Sequence, residues 1–176
     1  MRQLLLLRHA KAARDLPGVT DRDRPLTARG RRDTTSVRAA MHDFGLLPDL
    51  VLMSPSRRTM ETLEMLEPWD DTPLTEALEQ LYLADARQIL GVLHDVPETV
   101  RSVLLIGHNP GLHELASRLA GGTTDAARRL AGKFPTAALA EFSVAGPWHE
   151  LKSGSAHLVR FLTPAELRNE GERPRG

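Results

Sequence analysis

Leu4-Leu5-Leu6-Leu7-Arg8-His9 is a four-residue apolar run that stops abruptly on a cation and an imidazole. Two further runs end in the same way. Leu50-Val51-Leu52-Met53 leads into Ser54-Pro55-Ser56-Arg57-Arg58, and Val103-Leu104-Leu105-Ile106 into Gly107-His108-Asn109-Pro110-Gly111. Short apolar runs without strict alternation are expected of parallel strands covered on both faces. Helical patterns lie between them, so the order reads as an α/β protein: a three-layer α/β/α sandwich around a mostly parallel sheet.

The helical segments are marked by their ends. Thr27 is a suitable N-cap, Val37, Ala40, Met41 and Phe44 recur at helical spacing, and Gly45 supplies a stop. A second helix is expected from Ser56 through Met60, Leu63 and Leu66 to Pro68. A third runs from an Asp85 cap through Ile89, Val92 and Leu93 to Pro97. A fourth begins at Pro110 and closes at Gly121-Gly122. Beyond Thr123 the pattern weakens, and Ala137 to Ser143 and Ala156 to Phe161 read as two strands joined through Gly146-Pro147 in an antiparallel edge. Residues 1–167 are expected to form one domain. Residues 168–176 are charged, contain Gly and Pro, and read as a frayed, disordered tail.

Composition narrows the chemistry. The 176 residues can bury a core without disulfides or a structural metal. Twenty-three basic residues balance 23 acidic ones, which argues against recruitment of nucleic acid or an anionic membrane by a global field. The absence of cysteine excludes a cysteine nucleophile and a thiolate metal site, and fits a reducing, cytoplasmic setting. The N-terminal apolar run is too short to span a bilayer. There is no Walker loop and no dinucleotide fingerprint, and His108 and His113 are poorly spaced for a metal site, so neither cofactor nor metal is expected. Of the 23 basic residues only Lys11, Lys133 and Lys152 are lysines, so a single arginine carries little weight by itself.

The weight comes from position. In open α/β sheets ligands gather beyond the carboxyl ends of the strands, where Arg8-His9, Arg57-Arg58 and Gly107-His108 all fall. Arginine forks match the peripheral oxygens of a phosphoryl group. A histidine beside arginines resists protonation and keeps a lone pair for attack on phosphorus. His9 is therefore the candidate nucleophile, Arg8 and one of Arg57 or Arg58 the phosphate ligands, and His108 a hydrogen-bond donor to the phosphoryl oxygens. The segment Asp21-Arg22-Asp23-Arg24-Pro25 reads as a charged loop at the rim, from which Arg22 or Arg24 could reach a substrate.

The strings LLLLRHAK, SPSRRTMET and LLIGHNPGL together resemble the histidine phosphatase superfamily, and within it the small SixA-like phosphohistidine phosphatases. The resemblance covers roughly residues 1–163 and implies a phosphoglycerate-mutase-like fold. It also implies that His9 is the phosphorylated histidine, Arg8 its phosphate-binding neighbour and His108 the second catalytic histidine. The family places its second arginine four positions after the serine of Ser-Pro, which selects Arg58. Ala10 stands where many relatives have glycine. Mutase-like members use a glutamate as general acid, and of Glu76 and Glu79 the latter is the better positional match. The implied activity is metal-independent removal of phosphate through a phosphohistidine intermediate. The expected partner is a phosphorylated protein, with phosphohistidine as the favoured group. A phosphatase or mutase for a small phosphorylated metabolite, and a non-catalytic phosphate-binding module, are the alternatives. Between Thr62 and His108 there is room only for a short strand, one helix and their connections, so an open pocket without a lid is expected.

Overall fold

The computed structural model describes residues 1–171. A six-stranded sheet, in the order β3-β2-β4-β1-β5-β6, is built from β1 (Arg2–Arg8), β2 (Leu50–Met53), β3 (Leu74–Ala77), β4 (Ser102–Gly107), β5 (Leu139–Val144) and β6 (Ala156–Leu162). β1 to β4 run parallel, whereas β5 lies antiparallel to β1, and β6 antiparallel to β5. Six helices accompany the sheet: α1 (Ala28–Asp43), α2 (Arg57–Leu66), α3 (Ala86–His94), α4 (Gly111–Ala120), α5 (Asp125–Gly132) and α6 (Pro164–Gly171).

The apolar runs behave as their composition requires. Leu4, Leu5, Leu6 and Leu7 are all fully buried, and they divide by the two-residue period of a strand. Leu4 and Leu6 enter one core with α3, α4, Phe134 and Trp148. Leu5 and Leu7 enter the other, with Val37 and Met41 of α1 and Leu63 and Leu66 of α2. Each face of the sheet therefore carries a helical layer, which is the three-layer sandwich. Only β3, one 3-10 turn and α3 lie between α2 and β4.

Two elements depart from the sequence reading. α5 was not anticipated, because only Ala127 and Leu130 of its eight residues are buried; Thr124 caps it by accepting from the Ala127 N–H. The segment expected to fray from Arg168 onward instead continues α6 to Gly171, and Arg168 pairs with the buried carboxylate of Asp33 on α1. Residues 172–176 of that expected tail lie outside the described residues.

Candidate active site

The register of the sheet brings the chemistry together. Arg8 pairs with Gly107 across β1 and β4, so His9 and His108 occupy equivalent positions one residue beyond neighbouring strand ends. Their rings stand 5.2 Å apart between centroids. Met53 pairs with Ile106 across β2 and β4, which places Ser54 on the other side of His108. The Ser54 hydroxyl lies 2.7 Å from His108 Nε2.

Arg58 arrives from the first turn of α2, and its side chain is nearly inaccessible. Its Nη1 donates to the Asp21 carbonyl at 2.6 Å, and its Nη2 lies 3.2 Å from the Asp21 carboxylate and 3.3 Å from His108 Nδ1. A guanidinium is only a donor, so Nδ1 of His108 is the acceptor, and the ring proton sits on Nε2 facing Ser54. Thr62 ties this helix to the nucleophile loop: its hydroxyl accepts from the Ala10 N–H at 3.0 Å and donates to the Arg58 carbonyl at 2.6 Å. The Ala10 methyl packs in the apolar cluster beside Leu5 and Leu7. Gly30 makes that loop possible, since a Cβ there would lie 2.3 Å from the Lys11 carbonyl oxygen. Arg8 donates to the Phe134 carbonyl at 3.1 Å, and Asn109 donates to the same oxygen at 2.8 Å.

Arg8, His9, Arg58 and His108 thus line one cleft of about 320 Å³, together with Lys11, Arg14, Asp21, Arg24 and Asn109. Arg57 points elsewhere: it pairs with Glu61, which is buried against α1 and also accepts from the Leu26 N–H and Arg31, and its own side chain is more than half exposed. Of the two rim arginines, Arg24 lines the cleft and pairs with Asp21 at 3.0 Å, whereas Arg22 pairs with Glu79. Glu79 does not line the cleft. Its carboxylate is exposed on the 3-10 turn before Tyr82, and the hydrogen bonds from Arg22 hold it below the usual carboxyl range. An ionised carboxylate already committed to a guanidinium is unsuited to donating a proton, so this geometry does not support the general-acid role expected from its sequence position. Asp21 was missed as a cleft residue. Its carboxylate accepts from the Tyr82 hydroxyl and faces Arg58 and Arg24; the Tyr82 bond above all, with those cations, holds it at about 2 against the opposing effect of burial.

Both histidines are neutral at physiological pH. Burial first, then His108, Arg58 and Arg8, bring His9 down to about 3, although its bond to the Ala10 carbonyl opposes this. Burial followed by Arg58 brings His108 to about 4. The sequence reading credited the arginines with this effect, whereas desolvation is the larger cause. Unfolded, each ring takes up a proton near the ordinary value of 6.5; folded, it does not until about 3 or 4. Below 6.5 the unfolded chain binds more protons, so this contribution to stability is complete above 6.5 and is lost as the pH falls toward those values. The expected loss approaches about 1.4 kcal/mol per pH unit for each ring. Thermal melts between pH 7 and 4.5 should show a falling Tm, and His9→Asn should flatten the slope by roughly its share. An unchanged slope in that variant would show that His9 is not held neutral by the fold.

His9 Nδ1 lies 2.8 Å from the Ala10 carbonyl oxygen. A carbonyl only accepts, so Nδ1 carries the proton and the Nε2 lone pair is free. The cleft therefore combines an unprotonated imidazole nitrogen, two guanidinium forks and a second imidazole, a set that can take up a phosphoryl group and stabilise its transfer. Among the described residues no group of three or more His, Cys, Asp or Glu side chains could hold a metal ion, and no helix is long and apolar enough to cross a membrane.

Comparison with known proteins bears on the family and the fold. A Mycobacterium tuberculosis protein carrying the name "uncharacterized" is 36% identical over 161 residues, covering 90% of this chain and 99% of its own length. The structure of a putative phosphohistidine phosphatase SixA from Nakamurella multipartitia superposes with a TM-score of 0.80 at 29% identity, covering 93% of this chain and 96% of that one. A structure of the protein histidine phosphatase SixA complexed with tungstate superposes with a TM-score of 0.76 at 26% identity, covering 94% and 99%. The sequence pattern described as histidine phosphatase superfamily (branch 1) matches residues 4–82, which hold Arg8, His9 and Arg58. The chain belongs to the histidine phosphatase superfamily.

Proposed function

We propose that the protein removes phosphate from phosphohistidine on another protein, by way of a covalent phosphohistidine at His9 and without a metal ion. The observation that carries this reading is the protonation state of the site. His9 and His108 are neutral, and Asp21 and Glu79 are held ionised, so none of these four groups is a good proton donor to a leaving group at neutral pH. An alkoxide leaving group needs such a donor. Phosphohistidine does not, because a proton on the distal nitrogen of its ring lets the imidazole depart neutral when the N–P bond breaks.

The steps follow from the atoms present. Arg8 and Arg58 take the phosphoryl oxygens in their forks. Nε2 of His9 forms the new N–P bond as the substrate N–P bond breaks, while Nδ1–H remains on the Ala10 carbonyl. His108 stays neutral: its Nδ1 keeps its contact with Arg58, and its Nε2–H turns from the Ser54 hydroxyl to hydrogen-bond the developing charge on the phosphoryl oxygens without giving up the proton. Water then attacks phosphorus, yielding inorganic phosphate and restoring His9. The likeness to a SixA structure complexed with tungstate, an oxyanion of phosphate-like shape, supports phosphoryl binding by this protein.

A substrate panel tests the reading: a phosphohistidine protein, a phosphohistidine peptide, p-nitrophenyl phosphate, sugar phosphates, phosphoglycerates and a phosphoserine peptide, each after exhaustive chelation. Phosphohistidine substrates should show the highest kcat/KM, and chelation should leave the rate unchanged. A metabolite better by about tenfold, which is roughly 1.4 kcal/mol of transition-state binding, would replace this reading with the metabolic one. A chelation loss restored by one divalent ion would remove the metal-free mechanism.

A further inference from the structure

The charges around the cleft do not balance a phosphoryl group alone. Its walls carry Arg8, Lys11, Arg14, Arg24 and Arg58 against the single carboxylate of Asp21. Arg8 and Arg58 match the two charges of a phosphoryl dianion, and Arg24 is paired with Asp21. Lys11 and Arg14 remain, both exposed, and neither has a carboxylate partner among the described residues. The whole chain has no net charge, so this surplus is a local feature. Arg14 also bears on the phosphoryl ligands: burial first, and then the proximity of Arg14, lower the proton affinity of Arg8. A bound anion is the natural counter-charge to such a cluster.

We propose that Lys11 and Arg14 form a second anion subsite that receives acidic side chains flanking the phosphorylated residue of a protein substrate. This rests on the protein-phosphatase reading above and adds the sign of the partner's surface. The phosphoryl ligands are held in place, Arg58 by Asp21 and Arg8 by the Phe134 carbonyl. Lys11 and Arg14 have no comparable side-chain hydrogen bond and stand at the rim. Exposed, unanchored cations recognise Asp or Glu at several neighbouring positions, and they act by screened attraction rather than by one fixed geometry.

Two phosphohistidine peptides, one flanked by Glu and the other by Gln, provide the test. At low ionic strength the wild-type enzyme should prefer the Glu peptide by about tenfold in kcat/KM, the scale of two rim ion pairs, and the preference should shrink as salt is raised. The double variant K11A/R14A should reduce it to about twofold or less, and K11E/R14E should invert it. No preference in the wild type, or one that survives charge reversal, overturns the proposal.

A second arm is independent of phosphohistidine chemistry. A Glu-rich peptide without phosphate should inhibit hydrolysis of p-nitrophenyl phosphate more strongly than its Gln counterpart, and K11E/R14E should remove the difference. If neither phosphohistidine peptide is turned over, the substrate reading fails and this arm decides the subsite. Equal inhibition by the two peptides, or inhibition unaffected by charge reversal, overturns it. Stronger inhibition by a bisphosphorylated metabolite that depends on Arg14, with none by the Glu-rich peptide, would assign the subsite to a second phosphate and likewise overturn the acidic-partner proposal.

Discussion

His9→Asn is expected to lower kcat by about 10⁴ or more on every substrate, while leaving a folded protein that still binds oxyanions. Asparagine can occupy much of the space of the ring but offers no lone pair for attack on phosphorus. The rest of the phosphoryl pocket persists, since Arg8 is held by the Phe134 carbonyl and Arg58 by Asp21, and neither contact involves His9. The measurement is steady-state turnover of p-nitrophenyl phosphate and a phosphohistidine peptide, beside vanadate binding to the same preparation. A variant retaining more than a few per cent of wild-type kcat would require a nucleophile other than His9.

Arg58→Ala should cost about 10³ in kcat/KM, with kcat and KM both affected, because the fork serves bound phosphate and transition state alike. Vanadate inhibition should weaken in parallel. The same change leaves the Asp21 carbonyl and His108 Nδ1 without their guanidinium partner, so a loss of stability of about 1–3 kcal/mol is expected. Arg58→Lys separates the two effects: it keeps the charge but not the fork, and should recover only a small part of the activity. Arg57→Ala is the control. Arg57 is itself more than half exposed, and its partner Glu61 keeps the bonds from the Leu26 N–H and Arg31, so turnover should stay within about twofold of wild type, the range of an ordinary surface substitution. A large defect from Arg57→Ala with a small one from Arg58→Ala would reverse the assignment of the phosphate ligand.

The parts of this site legible in the sequence are those fixed by strand ends. Leu4 to Leu7 and Val103 to Ile106 are apolar throughout because both faces of their strands are covered, and the residue after each strand is a histidine. Parallel pairing in register then makes those histidines neighbours. Neither fact requires knowledge of a distant contact. Asp21 is different. It is held at the cleft by residues distant in sequence, Arg58 beyond α1, which grips its backbone carbonyl, and Tyr82, and nothing local in Asp21-Arg22-Asp23-Arg24 separates a cleft residue from a solvated one. Glu79 shows the converse, since its position in the sequence is suitable but Arg22 holds it outside.

The cause of the histidines' neutrality was equally hidden. Adjacent arginines are visible in the sequence, but the depth that dominates the effect is a property of the packed fold. α5 and α6 escaped for a simpler reason. Each is short and turns few apolar side chains inward, so helical periodicity has little to register; α6 is held to the domain by the Arg168–Asp33 pair.

Covalent catalysis by His9 is tested most directly by rapid quench. Enzyme mixed with ³²P-labelled substrate and stopped in alkali within one turnover should yield labelled protein whose label is stable to base and lost in acid. Peptide mapping should place it on His9, and His9→Asn should carry none. Normal turnover with no labelled protein, or label on any other residue, would contradict the account.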